Sequence, residues 1–248
     1  LSIPDAGTIT GTASLCVGST TTLSNATTGG TWTSGYAPVA TVDASGVVTG
    51  AGAGNATISY RMTNFCGTSY ATQVVTVNPL PDAGTITGPS VVCEGNTITM
   101  SFIAASGSWT SSNPSVAGID NDTRVVTGLV AGSTTISFTV TNSCGTATST
   151  KDITVNPDPV AGSLSGASVV CAGTSTTITP SVSGGTWSSS NPTAASVSTS
   201  GEVTGLSAGV ATISYRVTNS CGIASATHTL TVSPAVAVGT LGGSSSVC

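Results

Sequence analysis

The sequence has very little charge. Four Lys and Arg, nine Asp and Glu and one histidine are spread over 248 residues. Charged residues therefore make up 5% of the chain, against roughly 25% in an average soluble domain. Four basic side chains leave no electrostatic footprint for nucleic acid or an anionic lipid surface. Long apolar runs are missing as well, since no stretch approaches the ~18 residues that a membrane-spanning helix needs. Helical insertion of this segment is excluded even though mean hydropathy is positive at +0.36. No window combines a helical apolar period with caps. Disorder is excluded in turn, because 38% hydrophobic residues and a net charge of −5 are the reverse of the low-hydropathy, high-charge signature of unfolded chains. The polarity comes from Ser and Thr, as on a β surface.

The cysteines are strictly periodic. Cys16, Cys93, Cys171 and Cys248 follow one another at intervals of 77, 78 and 77 residues, and Cys66, Cys144 and Cys221 fall between them. Trp32, Trp109 and Trp187 each come 16 residues after the first cysteine of a pair, and Cys66-Gly67, Cys144-Gly145 and Cys221-Gly222 complete the pattern. These are three tandem copies and the start of a fourth, with boundaries expected at 1–79, 80–157, 158–234 and 235–248. Copy two is longer by one residue, which lies in the turn Asp120-Asn121-Asp122-Thr123-Arg124. The linkers Asn78-Pro79-Leu80-Pro81, Asn156-Pro157-Asp158-Pro159 and Ser233-Pro234 are short and proline-stiffened, so they space the copies semi-rigidly. The chain opens on Leu1 without an apolar leader, and the fourth copy reaches only Cys248. The expectation is a stretch of a longer array.

Within a copy the strand signal is an alternation of period two. Ala211, Ile213, Tyr215 and Val217 alternate with Thr212, Ser214, Arg216 and Thr218; Ala56, Ile58, Tyr60 and Met62 repeat this in copy one, and Ile136, Phe138 and Val140 in copy two. Further short runs fall at 8–10, 20–23, 31–33, 40–42, 47–49 and 71–77, punctuated by Gly, Pro, Asn and Asp. Seven short strands per copy predict an all-β, two-sheet sandwich. Ile58, Ile136 and Ile213 are expected in its core, and so are the three tryptophans. Exposed glycan-stacking platforms are the alternative for the tryptophans, but strict repetition beside apolar strands favours burial.

Several motifs now stand in order: Leu15-Cys16-Val17-Gly18-Ser19-Thr20, Trp32-Thr33-Ser34, Val39-Ala40-Thr41-Val42-Asp43, Gly46-Val47-Val48-Thr49-Gly50, Ala53-Gly54 and Ala56-Thr57-Ile58. This series resembles the bacterial immunoglobulin-like domains of group 2, which occur as tandem arrays in surface adhesins of the invasin and intimin type. The paired cysteines are similar to those of giant repeat-rich surface proteins of gliding bacteria. Copy two departs from the pattern with Arg124 where copies one and three have Gly46 and Gly201, so its hairpin must be longer. The resemblance implies three tandem immunoglobulin-like β-sandwiches, expected to form an elongated rod.

Periodic cysteines in such a chain point to an oxidising, extracellular or cell-surface location. Zinc is the alternative, but there is no Cys-x-x-Cys and no Cys/His cluster. The default pairing joins Cys16 to Cys66 inside a copy, mimicking the immunoglobulin disulfide across an intervening tryptophan. Strand parity argues against it. Five strands separate the turn before the second strand from the turn after the sixth, which puts the two cysteines at opposite ends of the sandwich. For strands of 5 to 6 residues that is about 15 to 20 Å, beyond the ~7 Å Cα limit of a disulfide. With copies stacked head to tail, Cys16 faces Cys144 and Cys93 faces Cys221. Cys66 would then pair with a preceding copy, and Cys171 and Cys248 with later ones. Both patterns stay open at this level.

Catalytic chemistry has few candidates. His228 is the one histidine, and its slot holds Gln73 and Lys151 in the other copies, which is the profile of a polar strand position and not of a general base. Gly50-Ala51-Gly52-Ala53-Gly54 imitates a phosphate loop but precedes a strand. Asp43, Asp120 and Asp122 raise calcium, but copy three carries Ser198 in the slot of Asp43 and Asp120, and calcium needs six to eight oxygens. No enzyme activity, metal or cofactor is expected. Tyr36, Phe65 and Tyr70 recur in neither other copy and are the candidates for an exposed contact. Asn25, Asn55 and Asn121 open Asn-x-Ser/Thr triplets. The leading expectation is a structural stalk or fibre segment whose partners are neighbouring repeats of the same long chain. The rivals are a module binding a glycan or a surface protein through Tyr36 and Tyr70, and a subunit of a self-assembling filament, which sheet edges poor in Lys permit.

Overall fold

The computed structural model describes residues 2–101 and 106–236, so Cys248 lies outside the described residues. Among the described residues the elements are all β-strands, and no helix is long and apolar enough to cross a membrane. Copy one holds β1 (Ile9–Thr10), β2 (Ser14–Cys16), β3 (Thr20–Thr22), β4 (Ser24–Asn25), β5 (Thr31–Ser34), β6 (Ala40–Val42), β7 (Val47–Gly50), β8 (Gly54–Asn64) and β9 (Gly67–Asn78). In copy two come β10 (Val91–Cys93), β11 (Thr97–Thr99), β12 (Ser108–Ser111), β13 (Ala117–Ile119), β14 (Val125–Gly128), β15 (Gly132–Asn142) and β16 (Gly145–Asn156). Copy three adds β17 (Leu164–Ser165), β18 (Val169–Cys171), β19 (Ser175–Thr177), β20 (Thr179–Pro180), β21 (Thr186–Ser189), β22 (Ala195–Val197), β23 (Glu202–Gly205), β24 (Gly209–Asn219) and β25 (Gly222–Ser233).

Two compact units divide the chain, and the division passes through copy two. The first unit comprises Leu1–Ser90, Ile98–Thr127 and Ser133–Ile153. Its copy-one part is a four-stranded sheet, β2-β9-β8-β5, and a three-stranded sheet, β3-β7-β6. Alternation along β8 buries Ala56, Ile58 and Tyr60 and leaves Asn55, Thr57 and Arg61 exposed. Ala56 and Ile58 join Leu15, Val75 and Val77 of the larger sheet, Val48 and Ala40 of the smaller one, and Leu23, which lies between β3 and β4. Fully burying one such aliphatic side chain contributes about 1.5–3 kcal/mol. In the copy-two part of this unit, β12 pairs antiparallel with β15 so that Trp109 faces Phe138 and Ser111 faces Ile136.

The second unit comprises Val91–Thr97, Gly128–Gly132 and Thr154–Cys248. Copy three repeats the architecture of copy one as β18-β25-β24-β21 and β19-β23-β22, around Val170, Ile178, Ala195, Val203, Ala211, Ile213, Leu230 and Val232. The same unit contains the end of copy two where β10 runs parallel to β16, pairing Val92 with Val155 and Cys93 with Asn156.

Two features differ from the sequence reading. A short strand ends on each first cysteine: β2, β10 and β18 each run parallel to the last strand of their copy, so Cys16 closes a strand and does not sit in a loop. Three residues are too few for a period to show. The tryptophans also divide. Trp109 is buried at 7% exposure, whereas Trp32 and Trp187 are half-buried against their cores. All three stack on the aromatic residue opposite, with ring centroids 4.8 Å apart for Trp32 and Tyr60, 4.8 Å for Trp109 and Phe138, and 4.7 Å for Trp187 and Tyr215. What covers the second face is the turn after β6, β13 or β22. In copies one and three the ring lies over Gly46 and Gly201, which have φ of +86° and +85°. In copy two the longer turn places Arg124 at φ +62° and brings Asn121 over the strand, its Oδ1 accepting the Trp109 backbone N–H at 2.8 Å.

Candidate functional site at the joints between copies

The hairpins between the two longest strands of each copy end in two-residue turns, Phe65-Cys66, Ser143-Cys144 and Ser220-Cys221. In copies one and three the turn is closed by Asn64 opposite Gly67 and by Asn219 opposite Gly222. An asparagine before such a turn can satisfy the backbone with its own side chain. Here the Oδ1 atoms of Asn64, Asn142 and Asn219 accept the N–H of Cys66, Cys144 and Cys221, each at 2.8 Å. The amide nitrogen on the same side chain is left to act outward. Nδ2 of Asn142 donates to the Pro79 carbonyl at 3.0 Å, and Nδ2 of Asn219 to the Pro157 carbonyl at 2.9 Å. One asparagine therefore shapes the hairpin tip and holds the linker arriving from the preceding copy.

The receiving end is built from the parallel pair that closes each copy. Cys16 stands opposite Asn78, where β2 and β9 both stop. The chain then turns tightly: Val17 N–H donates to the Asn78 carbonyl at 3.1 Å, Gly18 N–H to the Gly50 carbonyl at 2.9 Å, and Ser19 N–H to the Cys16 carbonyl at 2.9 Å. Glycine at 50 is required by close approach, since a Cβ there would stand 2.8 Å from the Cys16 carbonyl oxygen. Gly128 and Gly205 meet the Cys93 and Cys171 carbonyls at 2.8 and 2.9 Å. The last glycine of the Gly-x-Val-Thr-Gly series thus seats the cysteine-bearing turn.

Tip and receiving end meet in a disulfide. Within the first unit Cys16 is bonded to Cys144, with S–S 1.97 Å and Cα atoms 5.6 Å apart. Within the second unit Cys93 is bonded to Cys221, with S–S 2.01 Å and Cα atoms 5.5 Å apart. Both Cα separations lie inside the 4.4–6.8 Å range of ordinary disulfides. Each bond spans 128 residues of sequence, and in the chain-entropy account a loop of that length is worth up to about 5 kcal/mol. The linker carbonyls lie alongside, with Sγ of Cys144 3.7 Å from the Asn78 oxygen and Sγ of Cys221 3.7 Å from that of Asn156. Cys66, half-buried, and Cys171, exposed, are free thiols.

The other residues singled out in the sequence lie apart from the joints or serve the fold. Ile58, Ile136 and Ile213 are fully buried. Tyr36, Phe65 and Tyr70 are 57%, 91% and 62% exposed, in the loop after β5, at the hairpin tip and on β9. His228 is half-buried on β25 opposite Ile213, its Nε2 3.2 Å from the Ala167 carbonyl. Gly50 to Gly54 join strand β7 to strand β8. Asp43 caps its turn: its Oδ1 accepts Ser45 Oγ at 2.7 Å, Ser45 N–H at 2.8 Å and Val47 N–H at 2.9 Å. The Ser45 hydroxyl foremost, then the Val47 amide, hold its carboxyl below the ordinary aspartate range. Asp120 is lowered in the same way by the amide and hydroxyl of Thr123. Among the described residues no group of three or more His, Cys, Asp or Glu could hold a metal ion. Asn25 and Asn121 use their side chains in the fold, Asn25 donating to the Ala6 carbonyl at 2.8 Å. Asn64, Asn142 and Asn219 were not singled out, although Thr-Asn-x-Cys-Gly recurs in every copy.

No curated protein matches the sequence. Similar solved structures include a titin I-band fragment, I67–I69, at 12% identity over 90% of this chain and 95% of that one, TM-score 0.45. Invasin, described as a bacterial integrin-binding protein, is similar at 17% identity over 93% of this chain and 60% of its own, TM-score 0.42. An intimin fragment in complex with the intimin-binding domain of its translocated receptor is similar at 22% identity over 63% of this chain and 65% of its own, TM-score 0.38. The model of the bacterial Ig-like domain (group 2) matches residues 96–152 and 149–225, more than half of the sequence, and the chain belongs to that family.

Proposed function

We propose that the chain is a structural segment of an extracellular bacterial adhesin or fibre, a non-enzymatic stalk whose copies follow one another at 1–79, 80–157 and 158–234. The observation that carries this reading is that each disulfide crosses from one copy to the next and that the two closed loops overlap between Cys93 and Cys144. Every such joint then has two covalent connections, the proline linker and the sulfur bridge, so neighbouring copies cannot swing independently. An oxidising, cell-surface location follows from the same bonds, since they persist only outside the reducing cytosol. Near-absence of charge makes the spacing insensitive to salt.

Small-angle scattering of the oxidised and the reduced chain tests the stalk. The reading expects one sharply defined maximum dimension when the disulfides are formed and a broader distribution after reduction. Equally broad distributions in both states would overturn it. A second reading, a binding module, is favoured by the exposure of Tyr36, Phe65 and Tyr70 in copy one alone. Specific binding to a glycan array or to cells, lost in Tyr36→Ala, would establish it.

A further inference from the structure

We propose that the free thiols Cys66 and Cys171 are the two complementary halves of one more joint, so that a second copy of this chain, placed end to end, is captured through a Cys171–Cys66 disulfide. The inference rests on reading the cross-copy disulfides as functional joints. What points to a partner is that both halves are already built in the form they have where the bond exists.

The tip of copy one matches the bonded tips contact for contact. Its Asn64 Oδ1 accepts Cys66 N–H at 2.8 Å, the distance found at Cys144 and Cys221. Asn64 Nδ2 donates to the Ser2 carbonyl at 3.1 Å, where Asn142 and Asn219 hold Pro79 and Pro157 at 3.0 and 2.9 Å. The arriving segment is thus docked on this tip as a linker is on the others. The receiving end of copy three is equally complete. Cys171 ends β18 opposite Ser233, as Cys16 and Cys93 end their strands opposite Asn78 and Asn156. Ala172 N–H donates to the Ser233 carbonyl at 2.9 Å, Gly173 N–H to the Gly205 carbonyl at 2.8 Å and Thr174 N–H to the Cys171 carbonyl at 3.1 Å. The Glu94, Gly95 and Asn96 amides make the same set around Cys93 at 3.0, 2.9 and 3.1 Å. Neither half needs to reorganise, which is what keeps the cost of association low.

The bond requires an oxidant, and a small disulfide such as oxidised glutathione supplies it. The Cys171 thiolate attacks one glutathione sulfur, the glutathione S–S bond breaks and one glutathione thiolate leaves. The Cys66 thiolate of the second copy then attacks the Cys171 sulfur of the mixed disulfide and expels the second glutathione. Two protein thiols lose two protons and two electrons, and one small disulfide becomes two small thiols. Head-to-tail pairing uses one half from each copy and leaves the opposite halves free, so the product grows as an open chain.

The test uses the full 248-residue chain carrying Cys248→Ser, incubated in a glutathione redox buffer and followed by non-reducing electrophoresis and peptide mapping. The expected result is a ladder of covalent multimers with Cys171 joined to Cys66, while the Cys16–Cys144 and Cys93–Cys221 bonds remain. Adding Cys66→Ser or Cys171→Ser abolishes the ladder, and mixing the two variants restores a dimer and nothing larger. Persistent monomer bearing glutathione adducts, or multimers joined mainly Cys66 to Cys66 or Cys171 to Cys171, would overturn the proposal. Its failure is separable from that of the stalk: stiff internal joints without a ladder sink this inference alone, and a ladder of freely tumbling copies sinks the stalk alone.

Discussion

The joint between copies one and two and the joint between copies two and three share their sulfur bridge and their asparagine clamp but part company at the end of the last strand. In the first, Asn78 turns its Nδ2 back to Ser14 Oγ of its own copy at 2.9 Å. In the second, position 91 is a valine and offers no such acceptor, and Asn156 donates instead to Ser220 Oγ of the following copy at 3.1 Å. Disulfide and carbonyl clamp are therefore the invariant parts, to within about a tenth of an ångström, and the strand-end amide takes whichever hydroxyl its neighbours provide. A side chain that changes partner between copies contributes little to holding them together.

Breaking the invariant part has the largest expected effect. Cys16→Ser with Cys144→Ser, and separately Cys93→Ser with Cys221→Ser, should each lower stability by about 2–5 kcal/mol, read as similar drops in thermal midpoint under non-reducing conditions. Unequal drops would show that the joints are not equivalent. The core comes next, and it sharpens the contrast between copies. Trp109→Ala should cost about 3–5 kcal/mol, while Trp32→Ala, with one ring face open over Gly46, should cost visibly less in the same denaturant titration.

Removing the clamp is milder. Asn142→Ala and Asn219→Ala should each cost about 1–3 kcal/mol, since each leaves the cysteine N–H and the linker carbonyl without their partner. Asn156→Ala should weaken its joint by about 0.5–1 kcal/mol, whereas Asn78→Ala should leave the first joint unchanged. Linker hydrogen exchange with the disulfides intact reads these differences.

The smallest effect is confined to the turns. The folded-state carboxyls of Asp43 and Asp120 are held below their ordinary values, so the ionised form supports the turn above that value and the support is lost as pH falls below about 4. Ser198 Oγ accepts the N–H of Ser200 at 3.3 Å and of Glu202 at 3.1 Å without a charge. Amide exchange at Val47 should therefore accelerate on acidification while exchange at Glu202 does not, and Asp43→Ser should remove the difference.

How far the fold could be read from the sequence depended on strand length. Ile58, Ile136 and Ile213 sit on strands of 11 residues, long enough for the period of two to identify the buried face. β2, β10 and β18 have three residues each, and nothing local distinguishes them from the turns they enter. The tryptophans illustrate a second limit: their repetition marks a shared position, but the degree of burial is decided by the turn lying over them, which differs by one residue. At the joints, the spacing of the cysteines and the parity of the strands between them were legible because they depend on counting alone. The double role of Asn64, Asn142 and Asn219 was not, because it depends on a linker carbonyl arriving from another copy.

Peptide mapping of the oxidised chain without reduction tests the central claim most directly. The account predicts a peptide pair joining Cys16 to Cys144 and another joining Cys93 to Cys221. Recovery of Cys16 joined to Cys66 and Cys93 joined to Cys144 would confine each bridge to its own copy and contradict it.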